Sequence, residues 1–267
     1  MSEKDLDQRI EERFGGFKKQ AKPTTNIRKV IAVASGKGGV GKSMVTSLLA
    51  IALRNRGYKV GIMDADITGP SIPKAFGMHT YARGDGEGIL PVVSKSGIEM
   101  ISLNFLVENE TDPVVWRGPV INGMVQQFYT EVYWGELDYL LVDLPPGTSD
   151  VVLTVYQSLP VDGIIFVSTP QDLVEMIVEK AIKMSDMMNL RSIALVENMS
   201  YILCPHCGKE ISVFGESKAI EIADRYEIPY VIRMPIQPEL AEAVDEGVLE
   251  SVEVKEILPL IDAVETL

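Results

Sequence analysis

Four groups of residues carry reactive or ligating side chains at spacings that chemistry uses. Gly36, Gly41, Lys42 and Ser43 fit the pattern G-x-x-x-x-G-K-S/T. An apolar run, Val30-Ile31-Ala32-Val33-Ala34, precedes them and a helical pattern from Met44 to Leu53 follows. Strand, glycine loop and helix are the setting of a phosphate cradle: glycines let successive N–H groups turn inward, and the helix N-terminus adds its positive dipole end. The stretch Ser35-Gly36-Lys37-Gly38-Gly39-Val40-Gly41-Lys42-Ser43, with Met44, is therefore expected to hold a nucleotide. Lys42 would reach the β- and γ-phosphates and the Ser43 hydroxyl would meet Mg²⁺. Lys37 is a second lysine that an ordinary phosphate loop does not need. A cation there can reach the nucleotide of a second subunit and stabilise charge on the transferring phosphoryl group.

Carboxylates form the second and third groups. Asp64 and Asp66 end the apolar run Tyr58 to Met63, and ligands of open α/β sheets collect at such carboxyl ends. A carboxylate near the γ-phosphate can position an attacking water. Asp143 ends Leu137 to Val142, where a strand-borne carboxylate can hold the Mg²⁺ water shell. Pro145, Pro146 and Gly147 then take the chain out of regular structure, which suits a switch loop, with the Gly147 amide placed to meet the γ-phosphate. Asn198 follows the strand pattern Ser192 to Glu197 and is placed there to hydrogen-bond an adenine edge.

The fourth group is Cys204-Pro205-His206-Cys207-Gly208. Two thiolates at this spacing can share a metal, yet tetrahedral zinc and a 4Fe–4S cluster both want four ligands. His206, inside the knuckle, is expected to point away. A thioredoxin-like redox pair fits poorly, because such a motif starts a helix and this one follows Tyr201-Ile202-Leu203 in an expected loop. A zinc knuckle and a 4Fe–4S cluster, either bridging two subunits, both remain. A half-complete metal site and a lysine that acts across an interface each point to a homodimer.

The elements that must position these groups are those of an α/β protein. With 267 residues, 46% of them hydrophobic, the chain can bury one sizeable core. No apolar run approaches the roughly 20 residues of a membrane span, and a formal charge of −13 argues against nucleic acid as a partner. The cytoplasm is the expected compartment. Residues 1–28 read as a flexible leader, with Asp5 to Phe14 as a short amphipathic helix, and 29–267 as one domain. Glycines 77, 84, 86, 88 and 97 punctuate a hairpin-like excursion that returns to a core strand near Ile98 to Leu103. Trp116-Arg117-Gly118-Pro119 precedes a helix over Val120 to Tyr129, with Arg117 either a nucleotide or partner contact or a surface cap. Met176, Met184, Met187 and Met188 read as packing residues of a helix reaching Met188. The expected architecture is a doubly wound, mainly parallel sheet with ligand at the carboxyl edge of its strands.

Gly-Lys-Gly-Gly-Val-Gly-Lys-Ser resembles the deviant Walker A motif of dimerising P-loop ATPases that include MinD, ParA, the nitrogenase iron protein and the Mrp/ApbC proteins. Asp64-x-Asp66 followed by Gly69-Pro70-Ser71 looks like the Mrp switch I, and Trp-Arg-Gly-Pro and Cys-Pro-x-Cys-Gly also recur in that family. Ile211 to Gly215 and Met234 to Leu240 add to the likeness, which extends from Val30 to about Leu258. The resemblance implies that Lys37 is the signature lysine acting in trans, that Asp66 positions water and that Asp64 joins the Mg²⁺ shell. It also implies that Asn198 and Pro235 serve the base and that Cys204 and Cys207 hold a 4Fe–4S cluster, with zinc as the alternative. Met44 departs from the family's threonine, which removes a hydroxyl near the α-phosphate. The implied function is an ATP-hydrolysing iron–sulfur cluster carrier, using ATP and Mg²⁺ and passing a labile cluster from a homodimer to apo-proteins. Its rivals are a MinD/ParA-like positioning ATPase, which the acidic segment Val252 to Glu265 disfavours, and a zinc-bridged nucleotide-binding scaffold.

Overall fold

Strand β1, Asn26–Ser35, lies in the middle of the sheet, and from Val30 onward no residue of it is more than 2% exposed. Such a strand is covered on both faces, which is why it reads as a continuous apolar run instead of an alternating one. Ile31 and Val33 join the core on the face of helix α1, Lys42–Asn55, with Val45, Leu48 and Leu49. Val30, Ala32 and Ala34 join the opposite core with Val125, Phe128, Val152 and Val155. The computed structural model describes residues 19–22, 25–67, 69–107 and 118–267, without the side chains of 172–176. The expectations placed on Asp5 to Phe14, Trp116, Arg117 and the Met176 side chain lie outside what it describes.

After α1 come β2, Val60–Asp64, and the short helix α2, Ile72–Ala75. The excursion follows as β3, Arg83–Gly84, β4, Ile89–Leu90, and β5, Val92–Val93, and it returns through β6, Glu99–Ile101. Next are α3, Gly118–Thr130, β7, Glu136–Asp143, α4, Asp150–Ser158, β8, Gly163–Ser168, and α5, Asp172–Met187. The chain continues with β9, Ser192–Leu203, β10, Glu210–Ile211, α6, Ala219–Arg225, β11, Tyr230–Pro235, α7, Pro238–Glu246, and α8, Leu258–Glu265.

The main sheet has the order β10-β9-β8-β1-β7-β2-β6-β5, and β11 also pairs with β9. All of its pairings are parallel except β5 on β6 and β10 on β9. The connection β1 to β2 passes β7 on one side, and β7 to β8 passes β1 on the other, so the strand order reverses beside β1. This is the place where open α/β sheets bind their ligands. The doubly wound, mainly parallel architecture is the expected one.

Two elements are longer than their apolar patterns suggest. Strand β1 starts at Asn26, paired with Glu136, ahead of the boundary expected at residue 29. Its first residues alternate exposed and half-buried and so carry no apolar run. The Lys19 amide also donates to the Ser158 carbonyl at 2.7 Å. Strand β9 continues through Asn198 to Leu203, where a strand end and then a loop were expected. A bulge with Met199 at φ 56° hides this continuity, because Asn-Met-Ser reads as a turn. The last helix buries Leu260, Ile261, Ala263 and Val264 in the α1-side core, so the C-terminal segment is a packing element.

Candidate nucleotide site and cysteine hairpin

The phosphate loop bridges the end of β1 and the start of α1. Gly41 caps that helix at φ 83°, a left-handed conformation that glycine adopts without steric cost. A Cβ at Gly41 would also meet the Asn198 amide nitrogen at 2.2 Å. Gly36 is glycine for a different reason: a Cβ there would lie 2.8 Å from the carbonyl carbon of Ile177 and 2.9 Å from the Val178 nitrogen. The backbone of α5 thus rests directly on the loop. Residues Lys37 to Met44 line a solvent-open cleft of about 310 Å³, faced by Asp66, Pro146 and Val244. That size suits a small-molecule ligand.

Lys42, Ser43 and Asp143 meet at the floor of this cleft. Lys42 Nζ lies 2.8 Å from Asp143 Oδ2, with the two side chains 6% and 0% exposed. Ser43 Oγ donates to the same oxygen at 2.5 Å, and Thr46 Oγ1 lies 2.7 Å from Asp143 Oδ1. Beside them, β2 and β7 are in register so that Asp64 stands opposite Asp143. Asp64 is buried, accepts from Ser102 Oγ at 3.0 Å and from the Asp66 amide at 3.2 Å. Burial, and next the Asp143 carboxylate, push the Asp64 carboxyl up to about 8, against the opposing pull of Lys42 and the Ser102 hydroxyl. The Ser43 hydroxyl on Asp143, with the Asp64 carboxyl on the neighbouring strand, supplies the oxygen donors that Mg²⁺ prefers. Ser43, Asp64 and Asp143 therefore fit the ion they were expected to hold.

Other expected residues take positions of their own. Lys37 Nζ donates to Gln171 Oε1 at 3.1 Å, at the N-cap of α5. The Gly147 amide, at φ 82°, donates to the Ser35 carbonyl at 2.8 Å, which ties the loop after β7 to the phosphate loop. Asn198 is 1% exposed and its amide donates to the Val40 carbonyl at 3.0 Å. It braces the phosphate loop from within a strand that continues to Leu203, where a strand end was expected. Pro235 ends β11, buried, with Tyr201 as its neighbour in β9. Met44 is half-buried on the cleft wall.

Cys204 and Cys207 sit at the tip of the hairpin between β9 and β10, both as free thiols, with Cys207 exposed. The Cys204 amide donates to the Lys209 carbonyl at 2.9 Å and the Gly208 amide to the Cys204 carbonyl at 2.8 Å. The backbone amides of His206 and Cys207, and then the Cys207 thiol, hold the Cys204 thiol below the ordinary thiol range. This favours the thiolate, the form that binds metal. Among the described residues, no group of three or more His, Cys, Asp and Glu side chains is placed to hold a metal ion.

Thr46, Ser102 and Gln171 are site residues that sequence reasoning did not assign. Thr46 is four residues after Lys42, one helical turn, so the spacing could have pointed to it. Ser102 carried no local signal, because it reaches Asp64 only through the pairing of β6 with β2.

A parallel sheet with a glycine loop, a buried lysine and a strand-borne aspartate at its carboxyl edge defines a P-loop nucleotide-binding protein. The profile of the ParA family, described as the NUBPL iron-transfer P-loop NTPase, matches residues 26–264, and the chain belongs to that family. An iron–sulfur cluster carrier protein of Clostridium perfringens is 48% identical over 84% of this chain and 82% of its own length. The cytosolic Fe-S cluster assembly factor CFD1 of Kluyveromyces lactis is 39% identical over 82% of this chain and 81% of its own. A nucleotide-binding protein from Archaeoglobus fulgidus, solved with ADP and found to contain cobalt, superposes with a TM-score of 0.78 at 42% identity. It covers 94% of this chain and 96% of its own. The cell division ATPase MinD of Pyrococcus furiosus shares the fold, with a TM-score of 0.62 at 19% identity over 90% of this chain and 99% of its own. No helix among the described residues is long and apolar enough to cross a membrane.

Proposed function

We propose that this protein is an ATP-hydrolysing iron–sulfur cluster carrier that holds a labile 4Fe–4S cluster between two copies of the chain and passes it to apo-proteins. The observation that carries this reading is the exposed hairpin with Cys204 and Cys207, which offers two thiols where a cluster needs four. A second copy supplies the other two. Leu203, Ile211, Val213 and Phe214, next to the thiols along the chain, are 40–51% exposed, which suits a face that is covered on pairing. The names of the relatives, an iron–sulfur cluster carrier and a cytosolic Fe-S cluster assembly factor, support an iron–sulfur cargo. The cytoplasm is the compartment that suits free thiols and a cytosolic relative. A leader and a single ATPase domain remain part of this proposal, with the boundary expected between residues 28 and 29 moved to the start of β1 at Asn26.

In the nucleotide site, the amides of Gly36 to Ser43 surround the phosphates and Met44 adjoins them, with Asn198 and Pro235 on the side of the base. Mg²⁺, when held by Ser43, Asp64 and Asp143, screens the phosphate charge. Lys42 leaves Asp143 for the β- and γ-phosphates, and Gly147 exchanges the Ser35 carbonyl for the γ-phosphate. Asp66 orients a water whose oxygen bonds to the γ-phosphorus as the bond to the bridging oxygen breaks, giving ADP and phosphate. Lys37 leaves Gln171 and stabilises the transferring group on the partner's nucleotide. Burial of Leu260, Ile261 and Val264 keeps the C-terminal helix from serving as a membrane anchor, which tells against the positioning rival. Anaerobic reconstitution with iron and sulfide tests the proposal. Cluster binding should be lost in Cys204→Ala and Cys207→Ala, and a cluster retained at full stoichiometry in both would sink it.

A further inference from the structure

We propose that Arg233 is a positioning residue that couples the phosphate loop to the cysteine hairpin. The proposal rests on the reading of the two sites given above. Both sites hang on one strand: Asn198 of β9 holds the Val40 carbonyl, and Cys204 directly follows the last residue of β9, Leu203. Between them, however, the ladder with β11 is interrupted. Arg233 pairs with Glu197 and Pro235 with Tyr201, so two steps on β11 face four on β9. The surplus residues form the bulge at Asn198, Met199 and Ser200, with Met199 at φ 56°. A bulge uncouples the strand segments on either side of it unless something spans it.

Arg233 spans it. Its Nε donates to Ser200 Oγ at 2.8 Å, on the bulge, and Ser200 Oγ in turn donates to the Glu197 carboxylate at 2.5 Å. Its Nη1 lies 3.4 Å from Glu210 Oε2, on the strand that returns from the cysteines. Its guanidinium also sits 5.0 Å from the centroid of the Tyr201 ring. One rigid fork thus joins the residues flanking Asn198 to the far side of the hairpin. A lysine could satisfy one of these acceptors but not hold both in a fixed plane. Glu197 is 3% exposed, so its carboxylate depends on this hydrogen-bonded setting, and a shift of Asn198 must move Arg233 and with it Glu210.

Amide hydrogen exchange on the full-length, metal-free chain reads this directly, with and without saturating ADP and Mg²⁺. In the wild type, nucleotide should change the exchange rate of the hairpin amides, including Cys204 and Gly208, by threefold or more. Arg233→Lys should bind ADP within twofold of wild type and lose that response, and Glu210→Gln, at the exposed end of the link, should lose it too. A wild-type hairpin indifferent to ADP, or variants that keep the full response, would overturn the proposal. Loss of ADP binding in Arg233→Lys would overturn it as well, by placing Arg233 in the nucleotide site. No cluster enters the measurement, so its failure is separate from any failure of the carrier reading.

Discussion

Lys42 Nζ and Asp143 Oδ2 stand 2.8 Å apart at the floor of the nucleotide cleft, and both side chains are buried. The lysine expected to neutralise phosphates neutralises a carboxylate in this structure. Removing one partner of a buried pair strands the other's charge, at a cost of about 3–5 kcal/mol. Lys42→Ala should therefore lower the stability of the nucleotide-free protein by that order in urea unfolding, and Lys42→Ala with Asp143→Asn should recover more than half of the loss. Simple additivity of the two substitutions would show that the pair does not act as one.

The carboxyl of Asp64 gives a pH signature. Raised to about 8 by burial and by Asp143, it stays protonated in the folded chain across a range where the unfolded chain has it ionised. The folded state then binds the extra proton, so this contribution to stability is complete below about pH 4 and is lost as pH rises through 8. The slope from this one group is at most about 1.4 kcal/mol per pH unit. Metal-free wild type should thus lose stability relative to Asp64→Asn between pH 6 and pH 8. Parallel curves for the two proteins would contradict the assignment.

Two glycines of one loop should respond differently to a methyl group. Gly36 has the α5 backbone 2.8 Å from where a Cβ would be, whereas a Cβ at Gly38 meets nothing closer than Pro146 Cγ at 3.9 Å. Gly36→Ala should cost about 1–3 kcal/mol, as overpacking does. Gly38→Ala should stay within about 0.5 kcal/mol of wild type. Thermal unfolding of both variants decides it, and equal shifts would mean that α5 yields.

Lys37 is held in its own chain by Gln171, 3.1 Å away. If that contact competes with a role across the dimer, releasing it should favour the active pairing. An exposed hydrogen bond is worth about 1 kcal/mol or less, so Gln171→Ala should raise ATP turnover by no more than about fivefold, while Lys37→Ala should abolish it. A fall in turnover in Gln171→Ala would show that Gln171 supports Lys37 instead of restraining it.

Legibility in the sequence followed the range of the interactions. The phosphate loop, Asp64, Asp66, Asp143 and the cysteine pair are marked by local spacing and by strands whose apolar runs are unbroken, and the structure brings the first four together. What stayed hidden depends on distant pairing. Ser102 reaches Asp64 through neighbouring strands, and Gln171 meets Lys37 across 134 positions. The length of β9 was masked by a bulge whose residues spell a turn. Asn198 illustrates both sides: its place after an apolar run gave the expectation of an adenine contact, whereas its partner in the structure, the Val40 carbonyl, lies 158 positions away and carried no local signal.

Whether one cluster belongs to two chains is decided by native mass measurement of the anaerobically reconstituted protein. The expected species is a dimer carrying four irons and four sulfides, which falls apart to metal-free chains when Cys204 or Cys207 is replaced by alanine. A single chain that retains its own metal, or a dimer whose bridging metal is one zinc ion, would contradict it.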